Sequence, residues 1–259
     1  MGKTWPGIKS KNVFFAGCTA SYVENDIGKA SVTLLDAAGA DTVICSCPAC
    51  DMMWRHTYPE WAKKLGIKYG FMVKHYSEVV AEKIRNGEFT FPNPVEKRVT
   101  WHDSCHIGRV SGVYDEPREV IKAIPGVEFV EMPFHHDEAH CCGSVLTLIK
   151  EPLVAYEVGK TRLDEAEEVN AEAVLALCPC CQFQFRVTKD KKKLPVELND
   201  LAAFACRSLG MTPLERLPRR GASRDPRSGP IGVFHPLPFA QDEKSGDIRG
   251  ISSPRPELV

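Results

Sequence analysis

A chain of 259 residues is long enough to bury a core in one large domain or two small ones. Its 33 basic and 34 acidic residues are balanced and mixed along the chain, which argues against nucleic acid or an anionic membrane surface as the main partner. Met1-Gly-Lys-Thr-Trp-Pro6 has no secretory apolar run, and no segment approaches the roughly 18 apolar residues of a membrane span. The eleven cysteines are therefore expected in a reducing cytoplasm, where clustered thiols favour metal over disulfide.

Residues 1–11 carry no pattern. Asn12-Val-Phe-Phe-Ala-Gly-Cys18 predicts a buried strand ending in a turn at Cys18. Ile27–Ala38 predicts a helix, with Val32 and Leu35 three apart and Gly39 as C-cap. Asp41–Cys45 predicts a second strand running into Cys45-Ser-Cys47-Pro-Ala-Cys50, which completes a βαβ unit with a parallel pair. From Met52 to about Gly87 the pattern is helical, broken near Pro59 and Gly66, with Trp54, Tyr58 and Trp61 as a core face. Phe89-Thr-Phe-Pro-Asn-Pro-Val95 reads as the connector between halves.

A strand is then expected over Val99–Cys105, a helix over Pro117–Ile124 with Pro117 in its first turn, and an alternating strand over Val127–Met132. His140-Cys-Cys-Gly-Ser144 opens a helix expected to continue to about Asn170. Ala173–Cys178 reads as a strand and Lys189–Lys193 as a solvated basic turn. Leu198–Leu209 reads as a final helix in which Cys206 is a small buried hydrophobe. Residues 212–259 hold 8 of the 19 prolines and no sustained period, the composition of a disordered or loosely docked tail.

The two halves repeat one another. Gly39 follows Cys18 by 21 residues, as Gly126 follows Cys105, and Ala40–Cys50 aligns without a gap on Ala171–Cys181, with Cys45 opposite Ala176. A block of 44 residues, 127–170, has no counterpart between Gly39 and Ala40. It contains a strand, Cys-Cys-Gly and a helix, so the first half keeps only Cys18, Cys47 and Cys50. Either the protein lacks this block, or such a segment belongs between Gly39 and Ala40. The expected fold class is α/β, two pseudo-repeated βαβ-type units with parallel sheets. The first unit (12–94) is incomplete, the second (95–211) complete, and a tail (212–259) follows.

In the second half Cys105 is followed by 35 residues, then Cys141-Cys142, then 35 more beginning with Gly143, then Cys178-Pro-Cys-Cys181. Soft thiolates hold iron in clusters, usually four per cluster, so a fifth suggests something other than an ordinary cubane. Adjacent cysteines do not easily point at one iron, which suits Cys141 and Cys142 to different atoms of one extended cluster. Pro179 stiffens the Cys-x-x-Cys turn. Gly143 allows close backbone approach, and the helix after it would aim its first N–H groups at an anionic group. Ligands at strand ends place the site at the carboxyl edge of a parallel sheet.

The competing reading is structural zinc, which takes four tetrahedral ligands in short-spaced pairs, and Cys141-Cys142 is a poor pair of that kind. For Cys18, Cys47 and Cys50, zinc, a partial cluster and no metal all stand open. A redox Cys-x-x-Cys at Cys47-Pro-Ala-Cys50 is a further reading, against which the matching ligand pair of the other half argues. His102, His106 and His140 flank the cysteines, with His135 and His136 nearby. They either support the ligands through hydrogen bonds or supply protons to a substrate sulfur, and Arg109 could attract an anionic substrate.

The pattern Cys-(35)-Cys-Cys-Gly-(34)-Cys-x-x-Cys, with Phe-Phe-Ala-Gly-Cys18, Trp-His-Asp-Ser-Cys105 and Ala-Leu-Cys178-Pro-x-Cys at strand ends, resembles the cysteine-rich CCG domain family over about residues 12–210. That family includes heterodisulfide reductase catalytic subunits and iron–sulfur subunits of sulfate-reducer membrane redox complexes. The resemblance implies that Cys105, Cys141, Cys142, Cys178 and Cys181 hold a non-cubane [4Fe-4S] cluster. A disulfide-type bond would be reduced or formed there, substrate sulfur binding an iron and electrons arriving singly. The implied substrate is a thiol or disulfide, borne by a small molecule or a small protein. At Cys18, Cys47 and Cys50, an incomplete second site, zinc, a second cluster and no metal remain open.

This chain has no Cys-x-x-Cys-x-x-Cys-x-x-x-Cys run, so a partner iron–sulfur or flavin subunit is expected to supply electrons, in the cytoplasm or peripheral to a membrane complex. Two other readings stand beside this one. In the first the chain is an electron-relay subunit of a 2-hydroxyacid or glycerol-3-phosphate dehydrogenase complex. In the second it is a zinc-stabilised docking protein without catalysis.

Overall fold

Two parallel sheets carry the chain in the computed structural model, which describes residues 12–15, as backbone, and 41–210. Cys18, the helix expected over 27–38, its Gly39 cap and the tail 212–259 lie outside the described residues. Those that are described fall within one compact unit.

In the first sheet the order is β1 (Asn12–Phe15), β2 (Thr42–Cys45), β3 (Met72–His75). In the second, β4 (Lys97–Trp101) pairs on one side with β5 (Val127–Val130) and on the other with β6 (Ala173–Ala176), and β7 (Glu197–Asp200) closes the edge beyond β6. Every pairing is parallel. The sequence β4-β6-β7 runs as β1-β2-β3 does, and β5 is the additional strand. It falls in the block that has no counterpart in the first half.

Parallel strands need cover on both faces, and β6 shows why its sequence is apolar throughout. All four of its residues are buried. Ala173 and Leu175 face a core with Trp101, Ile121 and Phe204, while Val174 faces Leu163, Ala166 and Phe185 on the other side. Burying each large apolar side chain of this kind contributes about 1.5–3 kcal/mol.

The helices that supply this cover are α1 (Pro48–Met52), α2 (Tyr58–Leu65), α3 (Tyr76–Arg85), α4 (Asp115–Lys122), α5 (Ser144–Leu148), α6 (Pro152–Glu168), α7 (Pro179–Lys192) and α8 (Leu201–Ser208). Two π-helical turns, Met53–Thr57 and His106–Val110, and a 3₁₀ turn, His136–Glu138, complete the set among the described residues. Cys47 and Cys178 both stand at the N-cap of a helix with proline in its first turn. His75 and Asp200, each last in its strand, both cap the helix that follows through side-chain acceptors. Among the described residues no helix is long and apolar enough to cross a membrane.

Several sequence-based expectations need correction. The segment read as helical from Met52 to Gly87 contains β3, whose four residues are half polar and pair with β2 alone. The helix expected from Cys141 to Asn170 is two helices, α5 and α6, parted at Lys150 (φ +68) and Pro152. Lys189–Lys193 is no free turn. It is the last turn of α7, where cations suit the helix dipole, with Lys193 as left-handed C-cap. The helix expected from Leu198 starts at Leu201, and Glu197–Asp200 before it is a strand. Trp54 and Tyr58 are core, with rings 5.0 Å apart, but Trp61 lies on the surface under Lys64. Cys206 is only half buried.

The two sheets are joined through Asp51, which is completely buried on α1. Arg55 holds both its oxygens, at 3.0 and 2.8 Å, and Ser111 Oγ from the second half donates to Oδ2 at 2.7 Å. Arg55 also reaches Glu78 at 2.6 Å. Arg55→Met would strand a buried carboxylate, so a loss of about 3–5 kcal/mol is expected in urea unfolding, against little measurable loss when an exposed ion pair such as Lys83–Glu88 is broken.

Candidate metal centre

Three chain segments leave the carboxyl rim of the second sheet and meet. β4 runs on through His102-Asp103-Ser104 to Cys105, and its ladder extends one step beyond the strand, since His102 N–H donates to the Leu175 carbonyl at 2.9 Å. Adjacent β6 delivers Leu177-Cys178 and then α7, which carries Cys180 and Cys181 in its first turn. From β5 the chain travels through His135-His136 to Cys141-Cys142-Gly143 and enters α5.

Gly143 makes the third approach possible. Its φ is +86°, and a Cβ there would sit 2.7 Å from the Ala155 carbonyl oxygen. Its N–H donates to Cys141 Sγ at 3.3 Å. Gly159 does related work on α6: a Cβ would lie 2.7 Å from Thr188 Oγ1 and 3.1 Å from the Cys142 carbonyl, so α6 presses against α7 and the cysteine pair.

The five cysteines picked out by spacing are neighbours, and of them Cys142 and Cys181 lie with His102 within 4.8 Å of one another. Cys142 accepts from Cys141 and Cys181 and lies beside a ring nitrogen of His102. Cys178 bonds to Cys180 and Cys181, and Cys105 lies within electrostatic reach of Cys142 and Cys178. Among the described residues no cysteine is in a disulfide. Hydrogen bonds from their neighbours hold the Cys142 and Cys178 thiols well below their usual pKa. Cys141 and Cys181, which donate those bonds, are held above theirs, and burial raises Cys105. A pocket of soft sulfur donors with no carboxylate bonded to them fits iron–sulfur or other thiophilic metal chemistry.

A cleft opens onto these sulfurs, lined by His102, Asp103, Cys105, Arg109, His140, Cys141, Cys142 and Cys181. Cys141 is exposed at its mouth and Cys142 and Cys181 are buried at its back. His140 Nδ1–H donates to buried Glu165 at the mouth. Arg109 spends hydrogen bonds on the carbonyls of Asp137, at 2.7 Å, and Ala139, which pins the loop before the cysteine pair. His106 lies on the π-helical turn and does not line the cleft. In the first half Cys45, Cys47 and Cys50 are all buried, and burial, then Asp51, pushes the Cys45 thiol up to about 12.

Two polar clusters that spacing did not single out hold the rim. Asp103, 5% exposed, accepts from Arg118 at both oxygens (2.8 and 2.7 Å), from Trp101 Nε1 at 3.0 Å and from His136 N at 2.7 Å. Arg118 also binds Glu131 at 2.6 Å and the Tyr114 carbonyl at 2.7 Å. One ion pair thus ties the ends of β4 and β5 to α4 and to the loop that leads to Cys141. The second cluster is fully buried Arg162 with Glu165. Cys180, an exposed sixth thiol in contact with Cys178, was visible in the sequence but outside the matched spacing.

The donor set and its spacing agree with known proteins. Residues 99–186 match the cysteine-rich domain model of the CCG family. The segment is a CCG domain. It contains all five cysteines of the matched spacing. Over 193 residues, 73% of this chain, the sequence is 32% identical to one of the subunits of dihydromethanophenazine:CoB–CoM heterodisulfide reductase from Methanosarcina acetivorans, covering 46% of that protein. It is 34% identical over 157 residues to one of the subunits of fumarate reductase (CoM/CoB) from Methanothermobacter marburgensis, covering 60% of this chain and 30% of the relative. EtfAB:quinone oxidoreductase of Syntrophomonas wolfei matches at 30% over 151 residues, 55% of this chain and 20% of its own. The chain therefore spans less than half the length of these curated relatives.

Burial would raise the Asp103 pKa, but the bonds and charge of Arg118, with the His136 and Trp101 donors, hold it below its usual value. Such a group stabilises the fold above its unfolded pKa, near 3.9, and loses that contribution as pH falls through the lower folded value. Asp103→Asn is accordingly expected to flatten the acid limb of stability below about pH 4 relative to wild type, read by urea unfolding across pH. Gly143→Ala is expected to lose about 1–2 kcal/mol to the left-handed backbone alone, more with the Ala155 contact, in the same assay.

Proposed function

We propose that this chain is an iron–sulfur redox subunit in which Cys105, Cys141, Cys142, Cys178 and Cys181 hold a non-cubane [4Fe-4S] cluster that reduces or forms a disulfide-type bond. The observation that carries this reading is the convergence of five sulfurs from three loops at one sheet rim, with Cys141 open to a cleft. The heterodisulfide reductase named among the relatives supports the substrate class. When bound, such a centre supplies or accepts electrons one at a time.

Splitting a disulfide consumes two electrons and two protons and yields two thiols. The electrons come from a partner iron–sulfur or flavin subunit. His140 is the group of this chain suited to deliver a proton, because Glu165 orients its ring at the cleft mouth while Nε2 stays free of that bond. Arg109, exposed beside the cleft, contributes positive charge toward an anionic thiol substrate. Cys47 and Cys50, buried at the start of α1, are the described members of a second, partial metal site for zinc or a further cluster, whose third cysteine, Cys18, lies outside the described residues.

A relay subunit that only passes electrons is the second reading, favoured by the fumarate reductase and quinone oxidoreductase names among the relatives. Anaerobic purification with metal analysis and electron paramagnetic resonance separates the two. About four irons per chain and a signal that changes on adding thiol are the expected result. Iron whose signal ignores thiol assigns the chain to relay. Zinc alone, without iron, leaves a docking protein. Cys141→Ala is expected to lower iron content and abolish the thiol response, whereas His140→Gln is expected to keep the iron and slow turnover about 10²-fold or more.

A further inference from the structure

We propose that Arg162 is a positioning residue that fixes His102 as the Nε2–H tautomer, so that His102 serves the Cys142 sulfur as a permanent hydrogen-bond donor, and neither ligates metal nor transfers protons. The His102 ring nitrogen and the sulfurs of Cys142 and Cys181 lie within 4.8 Å of one another, an arrangement that by distance alone could hold a metal ion. What faces the other side of the ring excludes that role. Arg162 Nε sits 3.2 Å from His102 Nδ1.

A guanidinium has only donors, so Nδ1 must present its lone pair and carry no proton. A ring carrying one proton then holds it on Nε2, the nitrogen left to face the Cys142 sulfur, which lies within 4.8 Å of the His102 ring nitrogen. A histidine that ligates through one nitrogen donates the other N–H to an acceptor. Here the partner is a donor, and a second ring proton would point at the Arg162 N–H.

The clamp has no slack. Arg162 is fully buried and is itself held by the Phe134 carbonyl at 2.6 Å, the Trp101 carbonyl at 3.4 Å and the Glu165 carboxylate. The ring of Phe185 meets His102 edge to face, centroids 4.8 Å apart at 83°, which fixes its plane. Arg162 and Glu165 are three residues apart on α6, and Glu165 turns its second oxygen to His140. One helix therefore orients both histidines, one toward the buried sulfur and one toward the mouth. A hydrogen bond donated to a thiolate favours the more negative, reduced state of whatever the thiolate holds, so the pair raises the reduction potential of the centre.

This last consequence rests on the iron reading above, whereas the tautomer does not, and the test keeps them apart. Full-length chain labelled with ¹⁵N-histidine is expected to show His102 with bare Nδ1 and protonated Nε2 in imidazole correlation spectra, with or without metal. In R162M that pattern is expected to give way to mixed tautomers. A wild-type ring protonated at Nδ1, or a pattern that survives R162M, overturns the proposal.

In the iron-loaded chain, H102M and R162M are expected to lose roughly tenfold of the reduced form at a fixed redox poise, the ratio one hydrogen bond to a charged group is worth. H102Q, whose amide keeps a donor at the Nε2 position, is expected to retain wild-type behaviour. Equal titrations for H102M and H102Q overturn the donor role. Loss of iron from H102M, with iron retained in H102Q, equally supports a donor that the centre needs, while loss from both identifies a ligand and overturns it. A wild-type chain that binds no iron sinks the redox reading and leaves the tautomer measurement standing.

Discussion

Cysteine sulfurs crowded at one sheet rim are a source of instability. As thiolates they repel one another, and as thiols they are weak donors that satisfy each other poorly. A bound cation of thiophilic character would relieve that conflict, provided the protein holds the sulfurs in place to receive it. The rest of the second half can be understood as the means of holding them. Parallel strands bring Cys105 and Cys178 to the same rim, and the extra edge strand β5 sends a third segment back with the cysteine pair.

The holding is done by polar groups as much as by packing. Asp103 and Arg118 lock three segments with one bidentate pair, and Arg162 with Glu165 locks the two histidines. Buried ion pairs of this sort contribute little net stability, but each is costly to break in part. Their value lies in geometry. A strand end that can rotate would carry its cysteine away, whereas one tied at both carboxylate oxygens cannot.

Much of this was legible in the residues and some was not. The cysteine spacing, the strand ends that carry it and the block missing from the first half are one-dimensional patterns, and the order β4-β6-β7 beside β1-β2-β3 agrees with them. The edge strands β3 and β7 escaped notice because each has four half-polar residues, too few to display alternation. The break before Pro152 carried its signal in the proline. Arg162 and Glu165 drew no attention in the sequence, since charge on a helix normally marks the outside. Nothing local announces that β4 ends opposite that face, so their burial belongs to tertiary structure.

Cys105 opens a π-helical turn. Its carbonyl accepts from Val110, and that of His106 from Ser111, both across five residues instead of four. The wider coil also packs against α1, the helix that bears Cys50, so the two halves abut at this point. A coil with one residue to spare can lose it and become an ordinary α-helical turn. Removing a single residue between His106 and Val110 would swing whatever precedes the deletion by about 100° relative to the helix beyond it. The sulfur of Cys105 would then leave its companions although every cysteine remained in the chain, so the length of this short coil alone sets where that sulfur stands.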